Sequence, residues 1–393
     1  MKVLIVGAGI AGAALAFWLE RAGHEPTLVE RAPEARRGGY LIDFWGAGFD
    51  VADRMGIVPA LTAKGFRMTE VRQVDAAGRQ VASFDPAPLV ESSGGRYVSI
   101  ARGDLASVLY DALGGRIETL FGDTVRSLDD GGDRVHVGFE GGSERDFDLV
   151  VGADGLHSRV RRLVFGPDAA FERFLGISVC AFDVFGYQPR DEDVAVMHTA
   201  VGYQITRLAM PGDRTVFLLT FVDDGRAADE GVEAQRETVR ARLGGAGWEA
   251  PAILERLEEA QTLYFDRVSQ VRMPTWTRGR IALVGDAAAC PSLLAGQRSA
   301  LALVEAYVLA SELGRAGGDH AAAFAGYERM LGPFLRSKQV AAERLTLAFA
   351  PRSRFQLWLR NAVMKLMSVP FVSELAMGRT LRDAIELPAP PGG

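Results

Sequence analysis

Glycine recurs at positions 7, 9 and 12, directly after the apolar stretch Val3-Leu4-Ile5-Val6 and at the head of the alanine- and leucine-rich stretch Ala11 to Ala22. A short β-branched run bounded by glycine predicts a buried parallel strand, and the stretch closed by Gly23 predicts a helix. In that setting each glycine has a mechanical task. Gly7 permits a tight turn, Gly9 lets the backbone approach a diphosphate, and Gly12 lets the helix pack closely on the sheet. The free N–H groups and the dipole at the helix start, from Ile10 and Ala11 onward, favour phosphate charge. Pro26-Thr27-Leu28-Val29-Glu30 reads as a second strand. Its closing Glu30, eighteen residues beyond Gly12, can accept hydrogen bonds from both hydroxyls of a ribose and would repel a 2′-phosphate. Strand, helix and acid together predict a dinucleotide site on a Rossmann-type α/β domain, without choosing between NAD and FAD.

The apolar run from Met1-Lys2 to Leu19 has the outline of a secretory signal, but the glycine spacing argues against that reading. Nowhere else is there an unbroken apolar run of about 18 residues, so no membrane span is expected. A net charge of −6 offers no basic face for nucleic acid. The two cysteines, Cys180 and Cys290, lie far apart without CxxC spacing, so neither a disulfide framework nor a metal site is expected, and a cytoplasmic setting is.

At 393 residues the chain exceeds one typical domain. Alternating segments at Met68 to Asp75, Gln80 to Phe84 and Arg96 to Ile100 precede a helix at Asp104 to Leu113. A meander follows, then the apolar strand Phe147 to Val151. From Phe171 to about Arg272 the texture becomes that of an antiparallel sheet, with strands at Gly176 to Phe185, Val194 to Thr199, Tyr203 to Met210 and Val216 to Val222, and a helix at Val232 to Leu243. Arg280 to Val284 returns to the parallel pattern, and helices fill the remainder. The expected organisation is an α/β Rossmann-type nucleotide domain (1–66, 97–170 and 272–318), an interleaved antiparallel-sheet substrate domain (67–96 and 171–271) and a C-terminal helical segment (319–393).

Two further segments follow apolar strands: Gly152-Ala153-Asp154-Gly155-Leu156-His157-Ser158-Arg159-Val160-Arg161 and Gly285-Asp286-Ala287-Ala288. With them the chain resembles the class A flavoprotein monooxygenases, the para-hydroxybenzoate hydroxylase-like family, and within it the bacterial tetracycline-degrading branch. The resemblance implies bound FAD and transient NADPH or NADH, and places Asp154 against the diphosphate and Asp286 on the ribityl chain. It further implies cofactor contacts at Gly7, Gly9, Ile10, Ala11, Gly12, Glu30, Arg31, Gly39, Arg102, Val125, Gly296, Gln297, Arg298 and Ser299. The loop Gly38 to Asp43 would lie beside the isoalloxazine. The implied reaction inserts one oxygen atom of dioxygen into an apolar or aromatic small molecule, a natural-product intermediate or an antibiotic. Substrates of the family lie between the antiparallel sheet and the flavin, making Tyr40, Phe44, His198, Tyr203, Ile205, Arg207, Phe217, Leu219 and Pro291 candidate lining residues. The oligomeric expectation is monomer or homodimer.

The chain departs from the family pattern in the third motif. Ala289 replaces a bulky polar residue, and Arg298 stands where a glycine is expected in the loop opening a helix against the flavin. Glycine there serves positive φ and close approach, which an arginine does not. Three readings stay open: Arg298 places positive charge beside the flavin, its bulk disturbs the ring, or it points to solvent. Because some relatives use this scaffold for cyclisation without net redox change, an FAD-holding cyclase or isomerase is the alternative function; a flavin-binding sensor is a third. Arg352 to Met367 reads as a basic amphipathic helix, expected to dock its apolar stripe on its own domain rather than on a membrane surface.

Overall fold

The computed structural model describes residues 1–34, 41–92, 94–260, 262–367 and 385–391; the candidate residues Gly39 and Tyr40 lie outside them. A six-stranded sheet runs in the order β17 (Thr277–Arg278), β18 (Ile281–Leu283), β11 (Leu149–Gly152), β1 (Lys2–Val6), β2 (Glu25–Glu30) and β7 (Glu118–Phe121). β1 is parallel to both neighbours, and Val3, Leu4 and Ile5 are fully buried, as a sheet covered on both faces requires. α1 (Ile10–Arg21) follows β1 and is buried from Ile10 to Leu19, because a second long helix lies over it.

Between β2 and β7 the chain passes through β3 (Leu41–Trp45), α2 (Ala47–Arg54), α3 (Val58–Lys64), β4 (Glu70–Val74), β5 (Gln80–Phe84), α4 (Ala87–Ser92), β6 (Tyr97–Ala101) and α5 (Arg102–Asp111). β3 and β6 pair as an antiparallel ribbon. The meander of β8 (Val125–Asp130), β9 (Val135–Phe139) and β10 (Glu144–Phe147) leads into β11 and then α6 (Arg159–Val164).

The larger sheet has the order β16 (Leu263–Val271), β12 (Glu172–Phe185), β15 (Arg214–Val222), β14 (Tyr203–Met210), β13 (Val194–Ala200), β4, β5. β4 and β5 come from the first quarter of the chain, so the sheet is interleaved with the nucleotide-binding half; β4 joins β13 in parallel. β16 has no clean alternation in the sequence, and the fold supplies the reason. Asp266 meets His157 at 3.2 Å, Arg267 meets Asp229 at 2.7 Å, and Gln270 Nε2 donates to the Pro291 carbonyl at 2.9 Å. Such partners make polar residues tolerable inside a sheet.

Strand alternation sorts the two faces of this sheet. One face, carrying Cys180, Phe182, Ile205, Phe217, Leu219 and Phe221, packs on α7 (Val232–Leu243) and α8 (Ala250–Glu259). The other looks toward the nucleotide-binding half: Leu208, Met210 and Val216 cluster with Leu41 and Ala101, and Ile177, Val179 and Leu218 with Leu293 and Leu294. α9 (Asp286–Ala289), α10 (Arg298–Arg315), α11 (His320–Phe349) and α12 (Arg354–Met367) complete the described chain. The docking expected of the last helix is corrected. Phe355 and Trp358 are 68% and 64% exposed, while half-buried Arg360 of α12 reaches the sheet and donates to Gln73 and Gln204. Among the described residues no helix is long and apolar enough to cross a membrane.

Candidate active site

The turn after β1 is held by backbone contact. Gly7 has φ +105°, and a Cβ there would meet the Ala153 carbonyl oxygen at 2.6 Å; a Cβ on Gly12 would meet the Gly7 carbonyl oxygen at 1.9 Å. Gly9 differs, with nothing within 4 Å of a Cβ position. That open side belongs to a cleft lined by Gly9, Ile10, Ala11, Arg102, Ala153, Gly155, Asp286, Arg298, Ser299 and Ala302. Glu30 stands at the end of β2, where its two oxygens accept from the backbone N–H groups of Ala8 (3.0 Å) and Ala32 (2.9 Å). A carboxylate at this place can also accept from ribose hydroxyls. Arg31 is exposed beyond it. The Val125 side chain is fully buried in the core, so a cofactor contact at this position falls to its backbone.

The second motif contributes differently from the expectation. The Asp154 carboxylate accepts from Ser158 Oγ (2.5 Å) and from the Arg159 and Val160 N–H groups (2.7 and 3.1 Å), so it caps the start of α6 while its neighbours Ala153 and Gly155 face the cleft. Burial pushes this carboxyl up from its ordinary pKa, against those hydrogen bonds. Arg161, which the sequence reading passed over, is fully buried. It pairs with Asp168 at 2.6 Å and donates to the Leu156 (2.6 Å) and Ala287 (3.0 Å) carbonyls. It thereby ties the second motif to the third. Its only signal in the sequence was a cation three residues past Ser158 on a short helix.

In the third motif, Gly285 takes φ +64° and Asp286 opens α9. Arg298, the first residue of α10, places Nε 2.9 Å from both Asp286 oxygens and adds a bond from Nη2. The two side chains are only 15% and 17% exposed, so the solvent-facing reading of Arg298 is overturned. Burial works to raise the Asp286 pKa, but Arg298 first and Arg102 second hold it below the usual carboxylate range. Gln297 caps α10, and Ser299 lines the cleft. Gly296 sits at φ +68° against Trp45. These residues fit FAD: an open glycine edge and helix start for a diphosphate, an acid at the ribose end, and two arginines, Arg102 and Arg298, beside the path of the anionic chain.

Behind this motif, Glu305 of α10 accepts the Gly285 N–H at 2.7 Å, while Tyr327 of α11 donates to the Leu283 carbonyl at 3.1 Å and lies 3.4 Å from Glu305. Glu305 is 2% exposed, and burial pushes its carboxyl up to about 8. A carboxyl raised in the folded state costs stability as pH climbs from the unfolded value toward the folded one. Glu305→Gln keeps an acceptor for Gly285 and removes that ionisation. Its melting temperature is expected to match wild type near pH 5 and exceed it near pH 8.5; an equal difference at both would contradict the assignment.

The substrate candidates separate by face. His198, Tyr203, Ile205, Arg207, Phe217 and Leu219 all point away from the cofactor half. His198 meets Tyr203 at 3.3 Å, Arg207 is bound to Asp191 and Glu249, and the remaining three sit in the core under α7 and α8. Strand period two forces this, since one residue's shift in register exchanges the faces. Phe44 is likewise core, 0% exposed and packed on Phe49. Pro291 is buried in the loop after α9. The side facing the nucleotide half carries Met197, Gln204, Thr206 and Leu218, and the ribbon beside it holds an Asp43 carboxylate bound by Tyr97 and Ser99.

The FAD binding domain family matches residues 1–323. A flavin-dependent monooxygenase from an unknown prokaryotic organism is 36% identical, covering 98% of either chain. The crystal structure of tetracycline destructase Tet(55) superposes with a TM-score of 0.85 at 34% identity, covering 99% of this chain and 98% of that one. Klebsiella pneumoniae HpxO, crystallised with FAD and uric acid, shares the fold at a TM-score of 0.81 and 22% identity over 97% of this chain and 96% of that one. With Gly9 and the paired Asp286 in one cleft, and the acid of β2 held on the Ala8 N–H next to it, the chain belongs to the FAD binding domain family and is a flavin-dependent monooxygenase.

Proposed function

We propose that the protein uses NADPH or NADH to insert one oxygen atom of dioxygen into a sizeable apolar or aromatic small molecule, a natural-product intermediate or an antibiotic of the tetracycline kind. The observation that carries this reading is the junction of the cofactor cleft with the inner sheet face: Leu293 and Leu294, in the loop between Asp286 and Arg298, pack directly on Ile177, Val179 and Leu218. Bound FAD supplies the chemistry, taking a hydride from the nicotinamide and passing one oxygen atom on from dioxygen. The chain's own residues bind and orient. Glu30 and the turn at Gly9 hold the nucleotide end, and Arg102 and Arg298 balance its charge. The apolar inner face of the sheet excludes water from the reacting edge.

The test is an oxygen-electrode assay of the yellow protein with NADPH. Tetracycline, or a panel of aromatic polyketides, is expected to raise NADPH oxidation about tenfold or more over the substrate-free rate, with one oxygen atom gained in the product, an ordinary magnitude for substrate-gated chemistry. Turnover of the same panel without nicotinamide under nitrogen would instead support the cyclase or isomerase alternative.

A further inference from the structure

Arg360 lies on α12, with its guanidinium turned down onto the inner face of the seven-stranded sheet. Nε donates to the Ala348 carbonyl at 2.7 Å, Nη1 to Gln73 Oε1 at 3.0 Å and Asn361 Oδ1 at 3.3 Å, and Nη2 to Gln204 Oε1 at 2.9 Å. Every one of these acceptors is neutral. Among the described residues, the two fully buried guanidiniums are treated differently by the fold: Arg161 lies on Asp168, and Arg207 on Asp191 and Glu249. Among the described residues no carboxylate pairs with Arg360. Burial without a counter-charge lowers its pKa from the ordinary value, yet a guanidinium stays charged at any working pH. Five N–H bonds against four acceptors among the described residues also leave one Nη2 hydrogen uncommitted there.

The surroundings are built around that charge. Gln73, Thr199, Gln204 and Thr206 are 2%, 6%, 2% and 6% exposed, a buried polar strip on a face that also carries Thr220, Leu208, Met210, Val216 and Leu218. Thr199 Oγ1 donates to Gln204 Oε1 at 2.9 Å, and Gln204 Nε2 lies 3.3 Å from Thr206 Oγ1, so the amide is held with its oxygen toward the arginine. A partly buried cation with only dipolar partners gains when an anion joins it.

We propose that Arg360 is a substrate-recognition residue and that the site beneath α12 takes a small molecule bearing an acidic oxygen: an enolate, a phenolate or a carboxylate. This rests on the monooxygenase reading, which places the substrate on this sheet face. The anion supplies the missing counter-charge and accepts the free Nη2 hydrogen, and so draws the substrate's polar edge toward α12 and its apolar body toward the flavin loop at Leu293.

The probe pair is 2-naphthoate and its neutral isostere 2-naphthamide, titrated into the holoenzyme and followed by the flavin absorbance change. In the wild type the acid is expected to bind about tenfold or more tightly than the amide, the scale of a hydrogen bond to a charged group. Arg360→Gln is expected to bring the two within about twofold, and Arg360→Lys to keep part of the preference. Equal affinity of the wild type for acid and amide, or no binding of either, overturns the proposal even if Arg360→Gln fails to fold. So does an Arg360→Gln protein that melts lower but keeps the preference, since Arg360 would then be only a tie between α12 and the sheet. Failure of the monooxygenase reading is distinguishable: no compound would stimulate NADPH oxidation while the acid preference persisted.

Discussion

Gly12→Ala is expected to produce a protein that retains no flavin and melts well below wild type, whereas Gly9→Ala, three residues earlier, is expected to melt normally and still lose flavin. The contrast follows from what each new methyl group meets. At Gly12 the Cβ would sit 1.9 Å from the Gly7 carbonyl oxygen and 3.3 Å from the Ile5 side chain. The first obstacle is backbone and cannot rotate aside, so α1 must shift away from β1 and the turn opens. Overpacking of this kind costs about 3 kcal/mol, the upper end of its ordinary range. At Gly9 the Cβ meets no protein atom within 4 Å, so the free fold carries no strain, but the methyl group projects into the cleft beside Ile10, Arg102 and Asp286. Thermal melts with the ratio of flavin to protein absorbance decide the matter. A Gly12→Ala protein that stays yellow and melts normally would mean that the close approach of helix and turn is not needed; a yellow Gly9→Ala protein would move the diphosphate elsewhere.

Arg298→Ala is expected to destabilise the protein by about 3 kcal/mol near pH 7, the scale for stranding one member of a largely buried pair. The pH dependence gives the sharper signature. In the wild type the Asp286 pKa is lower when folded than when unfolded, so its contribution is in place above about pH 4 and fades as pH falls through the folded value. Without Arg298, Arg102 and the Cys290 thiol are left to oppose the effect of burial, and the folded pKa of Asp286 rises. The variant therefore recovers stability relative to wild type as pH is lowered from 7.5 to 5, because the stranded carboxylate takes up a proton. Urea unfolding at those two pH values measures this, and an identical loss at both would mean that the loss does not come from a stranded Asp286 carboxylate. The companion Arg298→Gly separates the two flavin readings left standing. Faster flavin reduction means the arginine's bulk hindered the ring, and slower reduction means its charge favoured the reduced anion.

Much of the cofactor half was legible because local rules carried it. The glycine spacing from Gly7 to Gly12 spans six residues and announces the turn, although Ala153 supplies part of its wall, and β1, α1 and β2 follow from composition and spacing. Glu30 was legible for the same reason. The second motif was located, but the work of its aspartate was not. Asp154 has three donors supplied by Ser158, Arg159 and Val160, all within six residues, and helix capping competes directly with ligand contact. Arg298 was legible as a departure from pattern, but its partner was not, since nothing in the spacing of residues 286 and 298 announces a bidentate contact.

The substrate side shows the limit most clearly. Alternation in Tyr203 to Met210 announces a strand and divides it into two sets, but it does not say which set faces the flavin. α7 and α8 decided that, by burying Ile205, Phe217 and Leu219 on the far side and leaving Gln204, Thr206 and Leu218 toward the cofactor. By itself, then, the sequence determined the parallel strands, the glycine turn, the acid closing β2 and the family of chemistry, because each leaves a local pattern of residue types and spacing along the chain. Only the tertiary structure decided the facing of the larger sheet, the Asp286–Arg298 pair and the reach of Arg360 to the sheet, because these are set by which distant segments supply a partner or a wall, and a period of two or 3.6 residues carries no record of that.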